Sequence, residues 1–118
     1  MRHRKKGRTL DRKVGPRKAL LRSLMQAFLK SDRMTTTWAK AKAVQPLIER
    51  SVTRARTPSL AHRRWLLARL GGDQTLTTKL ITSIAPRFQT RPGGYTRLTH
   101  LPARKGDAAK MGFLEWVE

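Results

Sequence analysis

The chain has 118 residues, with 27 Lys and Arg against 7 Asp and Glu, for a formal charge of +20. That length holds one domain, two at most. The absence of cysteine excludes disulfide staples, Cys-based zinc sites and thiol catalysis. Charge of this size repels itself in a compact state, so an anionic partner is expected. Arg outnumbers Lys by 17 to 10, and a guanidinium pairs with phosphate through two hydrogen bonds and stacks on bases, which favours nucleic acid. Leu, Ile, Val and Phe number only 25, enough for a small body with a modest core plus segments that order on a partner. No apolar run approaches the roughly 20 residues of a membrane span. No apolar stretch follows the basic N-terminus as it would in a secretory signal. A soluble, cytoplasmic protein is the expectation.

Residues 1–15 read as an irregular basic arm, with Gly7 and Gly15 and no apolar period. Pro16 suits the first turn of a helix, where its missing N–H costs nothing. Leu20, Leu21, Leu24, Met25, Phe28 and Leu29 then fall on one helical face. The short β-prone run RMTTT follows, and Thr36 or Thr37 is placed to cap a second helix. Ala41, Val44, Ile48, Val52 and Ala55 form the apolar stripe of that helix, with a kink or break expected at Pro46. Thr57-Pro58-Ser59 stops it and caps a third helix carrying Leu60, Leu66, Leu67 and Leu70, with Trp65 at its edge and an end at Gly71-Gly72. Asp73 caps a fourth helix with Leu76, Leu80, Ile81 and Ile84 on one side, closed by Pro86. After a Pro-Gly-Gly loop the period changes: Tyr95 to Leu101 alternates as a strand, PARKGDAAK is a turn, and MGFLEWVE is a second strand. The expected fold is α+β: about four helices packed with a small, mainly antiparallel three-stranded sheet, residues 16–118 forming one globular domain behind the arm.

The segments MRHRKKGR, ALLRSL, TTTWAKAK, RPGGYTRL and RKGDAAKMGFLEWVE occur in this order and spacing. Together they resemble the L-seventeen family of bacterial-type large-subunit ribosomal proteins, over the whole of residues 1–118. The resemblance implies a structural protein with no catalytic activity, no cofactor and no small-molecule substrate. It also implies binding to large-subunit (23S-type) rRNA near the nascent-peptide tunnel exit, beside neighbouring ribosomal proteins. The chain departs from the family pattern at Pro16, at Ser23 and at Trp38, where an aliphatic residue is usual.

Contact with RNA carries over from the matching opening motif to Arg2, His3, Arg4, Lys5 and Arg8. Lys6, Arg12 and Lys13 belong to the same single-signed run, and Arg17, Lys18 and Arg22 continue it into the first helix. In this reading the arm is a clamp, each cation replacing counterions condensed on RNA, and the helix is its mount. Lys40 and Lys42 lie near a helix N-terminus, where they add to its positive end; a merely solvated face is the plainer alternative. Around the Pro-Gly-Gly loop, Arg91 and Arg97 flank Tyr95, which is a candidate for stacking or for a sugar hydrogen bond. Arg104 and Lys105 sit on a hairpin tip, with Asp107 organising the turn and no metal assigned. Trp65 beside His62-Arg63-Arg64 can stack on a base or be half-buried in the core, the latter being the commoner fate of an aromatic at helical spacing; Trp38 and Trp116 read alike. Three histidines and seven acids are too scattered in sequence for a catalytic site. The leading alternative on composition is an architectural DNA-binding protein, since phosphate contacts alone do not separate the nucleic acids.

Overall fold

The computed structural model describes residue 3 and residues 6–117. Arg2, Arg4 and Lys5 of the predicted arm lie outside the described residues. Among the described residues, four α-helices and three strands follow in order: α1 (Val14–Ser31), β1 (Arg33–Thr37), α2 (Trp38–Ala55), α3 (Leu60–Arg69), α4 (Gln74–Lys79), β2 (Thr96–Leu101) and β3 (Met111–Trp116). The three strands form an antiparallel sheet in the order β1-β3-β2, with Met34 opposite Leu114 and Leu114 opposite Leu98. This is the α+β arrangement that the strand and helix periods call for.

α1 starts at Val14, earlier than Pro16, and takes in Gly15. Its first intrahelical bond is Arg17 N–H to Lys13 O, 2.9 Å, which comes after Pro16, so the proline still removes no needed donor. The helix ends at Asp32, in the left-handed conformation at φ 63°, whose N–H donates to Phe28 O. The tight turn sends the chain straight into β1. Met25, Phe28 and Leu29 are buried, and Leu21 and Leu24 are half-buried against the same core.

The expected break at Pro46 does not occur: α2 is continuous from Trp38 to Ala55. Pro46 lies on the exposed side, while Val44, Ile48, Val52 and Ala55 are all buried on the other. The proline removes one backbone hydrogen bond, and the packed stripe on either side keeps the helix continuous through it. Thr37 occupies the cap position without making a side-chain cap bond; the N–H of Trp38 instead donates to Lys110 O, 2.8 Å, which ties the helix start to the residue preceding β3.

α3 is capped by Ser59, whose Oγ accepts the His62 N–H at 3.1 Å. It closes through Gly71 (φ 69°) and Gly72, whose N–H donates to Leu67 O at 2.7 Å. Gly71 also makes room for α1: a Cβ there would lie 3.0 Å from Arg22 Cδ and 3.3 Å from Gln26 Nε2. Gln26 Nε2 in turn donates to Leu70 O at 2.8 Å. Leu60, expected on the apolar face, is 66% exposed in the first turn. Asp73 Oδ1 caps α4 by accepting the Leu76 N–H at 3.0 Å. α4 is shorter than its apolar pattern suggests, because the helix widens into a π turn over Leu80–Ile84 and tightens into a 3-10 turn over Ala85–Phe88, with Pro86 inside the latter.

The core lies between α1, α2, the π and 3-10 turns and one face of the sheet. Phe28, Phe88, Tyr95 and Trp116 meet there, with Phe28 and Trp116 ring centroids 4.7 Å apart and Phe88 and Tyr95 5.2 Å apart. Trp116 is thus a core residue, its Nε1–H donating to Asp32 Oδ1 at 3.2 Å. Trp38 is not: it stacks on His100 with centroids 3.6 Å apart and lies over Gly112, where a Cβ would come within 3.1 Å of the indole.

Candidate nucleic-acid interface

Two clefts adjoin on the helical side of the molecule, and Leu21 and Leu47 line both. The first, of about 1040 Å³, lies between the arm, α1 and α2; its cations are Lys6, Arg8, Arg17 and Lys42, and Ala43 and Pro46 contribute apolar surface. The second, of about 500 Å³, lies between α1, α2 and α3; its cations are Lys18, Arg22, Arg50 and Arg69, and Met25, Trp65 and Ala68 contribute apolar surface. Among the described residues, no Asp or Glu lines either cleft. Together they make a continuous cationic groove that is partly apolar.

Four of the seven acids are engaged away from the groove. Asp32 pairs with Lys79 at 3.3 Å and accepts from Trp116. Glu49 Oε1 accepts from the Thr96 hydroxyl at 2.8 Å and from its N–H at 3.3 Å. Asp73 caps α4, and Asp107 is held by Arg104 through Nε at 3.2 Å and Nη2 at 2.6 Å. Among the described residues, Asp32–Lys79 and Asp107–Arg104 are the two ion pairs. The groove cations therefore have no carboxylate partner among those residues.

Of the predicted contacts, the structure brings Lys6, Arg8, Arg17 and Lys42 to the first cleft and Lys18 and Arg22 to the second. His3, Arg12 and Lys13 are exposed but line neither; Arg12 is turned back, its Nη1 donating to Leu10 O at 3.0 Å. Lys40 lies on another side of α2 from Lys42, as their separation of two residues dictates. Arg91, Arg97 and Lys105 are also outside the groove, Arg97 and Lys105 being exposed on β2 and in the hairpin turn. Arg104 is engaged by Asp107, whose carboxyl is lowered from an ordinary 3.8 to about 2, first by the Arg104 hydrogen bond and then by the Ala109 N–H.

Tyr95 is the correction. It has no exposed surface, so it cannot stack on a base. Its hydroxyl accepts from Arg56 Nη1 at 2.8 Å and lies 3.1 Å from Thr53 Oγ1, while Arg56 Nη2 donates to Gln89 O at 2.9 Å. The glycines before it turn the chain inward, and the ring goes to Phe88 rather than to solvent. Sequence reasoning missed Arg50 and Arg69, and it did not find the setting of Trp65. That indole is half-buried, with the guanidinium carbons of Arg54 and Arg69 at 4.6 and 4.9 Å from its ring centroid. The only sequence signals were spacings of four: Arg50 to Arg54 on α2 and Trp65 to Arg69 on α3.

Among the described residues, no group of three or more His, Cys, Asp or Glu can hold a metal ion, and no helix is long and apolar enough to cross a membrane. Comparison with known proteins gives a consistent picture. The family model described as Ribosomal protein L17 matches residues 20–117. The chain is 50% identical over 117 residues to the large ribosomal subunit protein bL17 of Thermomicrobium roseum, covering 99% of each. It is 42% identical over 116 residues to the large ribosomal subunit protein bL17 of Bdellovibrio bacteriovorus, covering 98% of this chain and 64% of that longer relative.

Proposed function

The chain belongs to the ribosomal protein L17 family, and from that premise we propose that it is a structural, non-catalytic constituent of the large ribosomal subunit in the bacterial cytoplasm, binding 23S-type rRNA through the groove and the arm. The observation that carries the RNA-binding reading is the groove itself: eight Lys and Arg with, among the described residues, no acid beside them and no carboxylate partner. A polyanion is the matching ligand, because each phosphate neutralised releases condensed counterions. The arm ahead of Val14 acts as the clamp and α1 as its mount. Where rRNA helices converge, the cations offset phosphate repulsion and fix the relative placement of the helices. By family resemblance that place is near the nascent-peptide tunnel exit, beside neighbouring ribosomal proteins.

Two measurements test the reading. Tagged protein from its native cells, sedimented at low magnesium, should co-migrate with the large subunit through a moderate salt wash; migration with chromosomal DNA would transfer the assignment to the DNA-binding alternative. Deleting residues 2–13 should reduce affinity for large-subunit rRNA and flatten its dependence on log salt by about 0.7–0.9 for each phosphate no longer neutralised, while the body melts as before. Equal loss of melting temperature and binding would reject the arm as a clamp.

A further inference from the structure

We propose that the second cleft takes one unstacked nucleotide of RNA, with the base on the Arg69 guanidinium that covers Trp65 and the flanking phosphates on Lys18, Arg22 and Arg50. The proposal rests on the rRNA reading above and specifies what this part of the groove binds.

The two clefts differ in kind. The first is wide, without an aromatic, and edged by residues of the arm, which suits a phosphate backbone passing through. The second is about half its volume and lies between three helices, and about 500 Å³ falls in the range of pockets that enclose single small ligands. Its cations are exposed, while Leu21, Leu47 and Trp65 are half-buried and Met25 is buried beneath them. An RNA duplex keeps its bases stacked inside and shows phosphates and 2′-hydroxyls outside. Such a surface would satisfy the cations and leave the apolar residues facing water or sugar. An extruded nucleotide matches both at once.

The cations are also pre-positioned. Arg69 stacks on Trp65 from one turn along α3, and Arg54 reaches the same ring from α2. A planar guanidinium held over an indole presents its outer face for a base to stack on. Neither has a carboxylate partner among the described residues. An acidic protein segment would satisfy the charge but would bring no flat face for Arg69.

The test uses the full chain and two RNA probes: a blunt duplex of about 16 base pairs and the same duplex with one bulged adenosine. The bulged duplex should bind tighter by about 5- to 100-fold, the gain expected from stacking one base. Trp65→Leu, which keeps the site apolar but removes the ring under Arg69, should erase that preference by weakening the bulged probe more than the plain duplex. Arg50→Gln is exposed and spares the packing, so it serves if Trp65→Leu melts early. It should lower the salt slope by about 0.7 for each probe that seats a phosphate on Arg50, and the bulged probe should lose more affinity than the plain duplex. Equal affinity of the wild type for both probes would overturn the nucleotide site while leaving the RNA reading in place; failure to bind either would overturn both. A decaglutamate peptide that binds tightly, loses affinity in Trp65→Leu and displaces neither RNA would put an acidic protein segment in the cleft and overturn the proposal.

Discussion

Replacing Tyr95 with Phe separates a structural tyrosine from an RNA-contacting one. The substitution keeps the ring, which is fully buried against Phe88, and deletes only the hydroxyl. That hydroxyl accepts from the Arg56 guanidinium at 2.8 Å and meets Thr53 at 3.1 Å. A hydrogen bond to a charged group contributes about 1.5–3 kcal/mol. Arg56 is only half-buried, so water can replace part of the loss at Nη1, although its Nε is already buried without a partner. The expected destabilisation is therefore at the low end, about 1.5 kcal/mol. In urea, with a slope of about 1–3 kcal/mol per molar, the midpoint should fall by roughly 0.5–1.5 M. The melting temperature should drop by roughly 5 °C. Affinity for large-subunit rRNA and its salt dependence, measured where both proteins are folded, should stay the same. A loss of RNA affinity at unchanged urea midpoint would refute the argument and return Tyr95 to the surface.

Gly71→Ala should cost about 1–2 kcal/mol, because a side chain there is strained at φ 69° and meets Arg22 and Gln26 of α1; an unchanged urea midpoint would mean that α1 does not pack as closely as described. Pro46→Ala should stabilise the chain by about 1–3 kcal/mol by restoring a backbone donor on an exposed helix position, and a lower melting temperature would contradict a regular α2. The Asp107 carboxyl should titrate near pH 2 by carbon NMR, and Arg104→Gln should move it back toward 3.8. Since its folded value is depressed, the support it gives the hairpin turn is complete above the ordinary carboxylate range and is lost as pH falls through about 2. A titration midpoint unmoved by Arg104→Gln would show that the pair does not form.

What is legible in the sequence is what depends on neighbours in sequence. The spacing of Val44, Ile48 and Val52 announces α2, the caps Ser59 and Asp73 sit where their residue types place them, and the alternation after Gly94 marks β2. Pro46 misleads because a local rule about one donor takes no account of the packed stripe that overrides it. Tyr95 misleads for a related reason: adjacency to an exposed Pro-Gly-Gly says nothing about which way the next ring turns, and the answer lies in Phe88 and Arg56, on other elements of the fold. The second cleft is beyond reach altogether. Lys18, Arg50 and Arg69 come from three helices, and only the docking of α1 against Gly71 and of α3 against α2 assembles them. A count of Lys and Arg gives the amount of charge, never where a fold will gather it.

The placement of the acids has one more effect. By drawing Asp32, Glu49, Asp73 and Asp107 into pairs, caps and turns, the fold stabilises itself locally at the expense of a surface that repels itself everywhere else. Added salt screens that repulsion over a Debye length of about 10 Å at 0.1 M, and the same salt weakens the grip on phosphate. Ionic strength therefore acts on the free protein and on its complex with opposite sign: conditions that hold the isolated chain together best are those in which it holds RNA least.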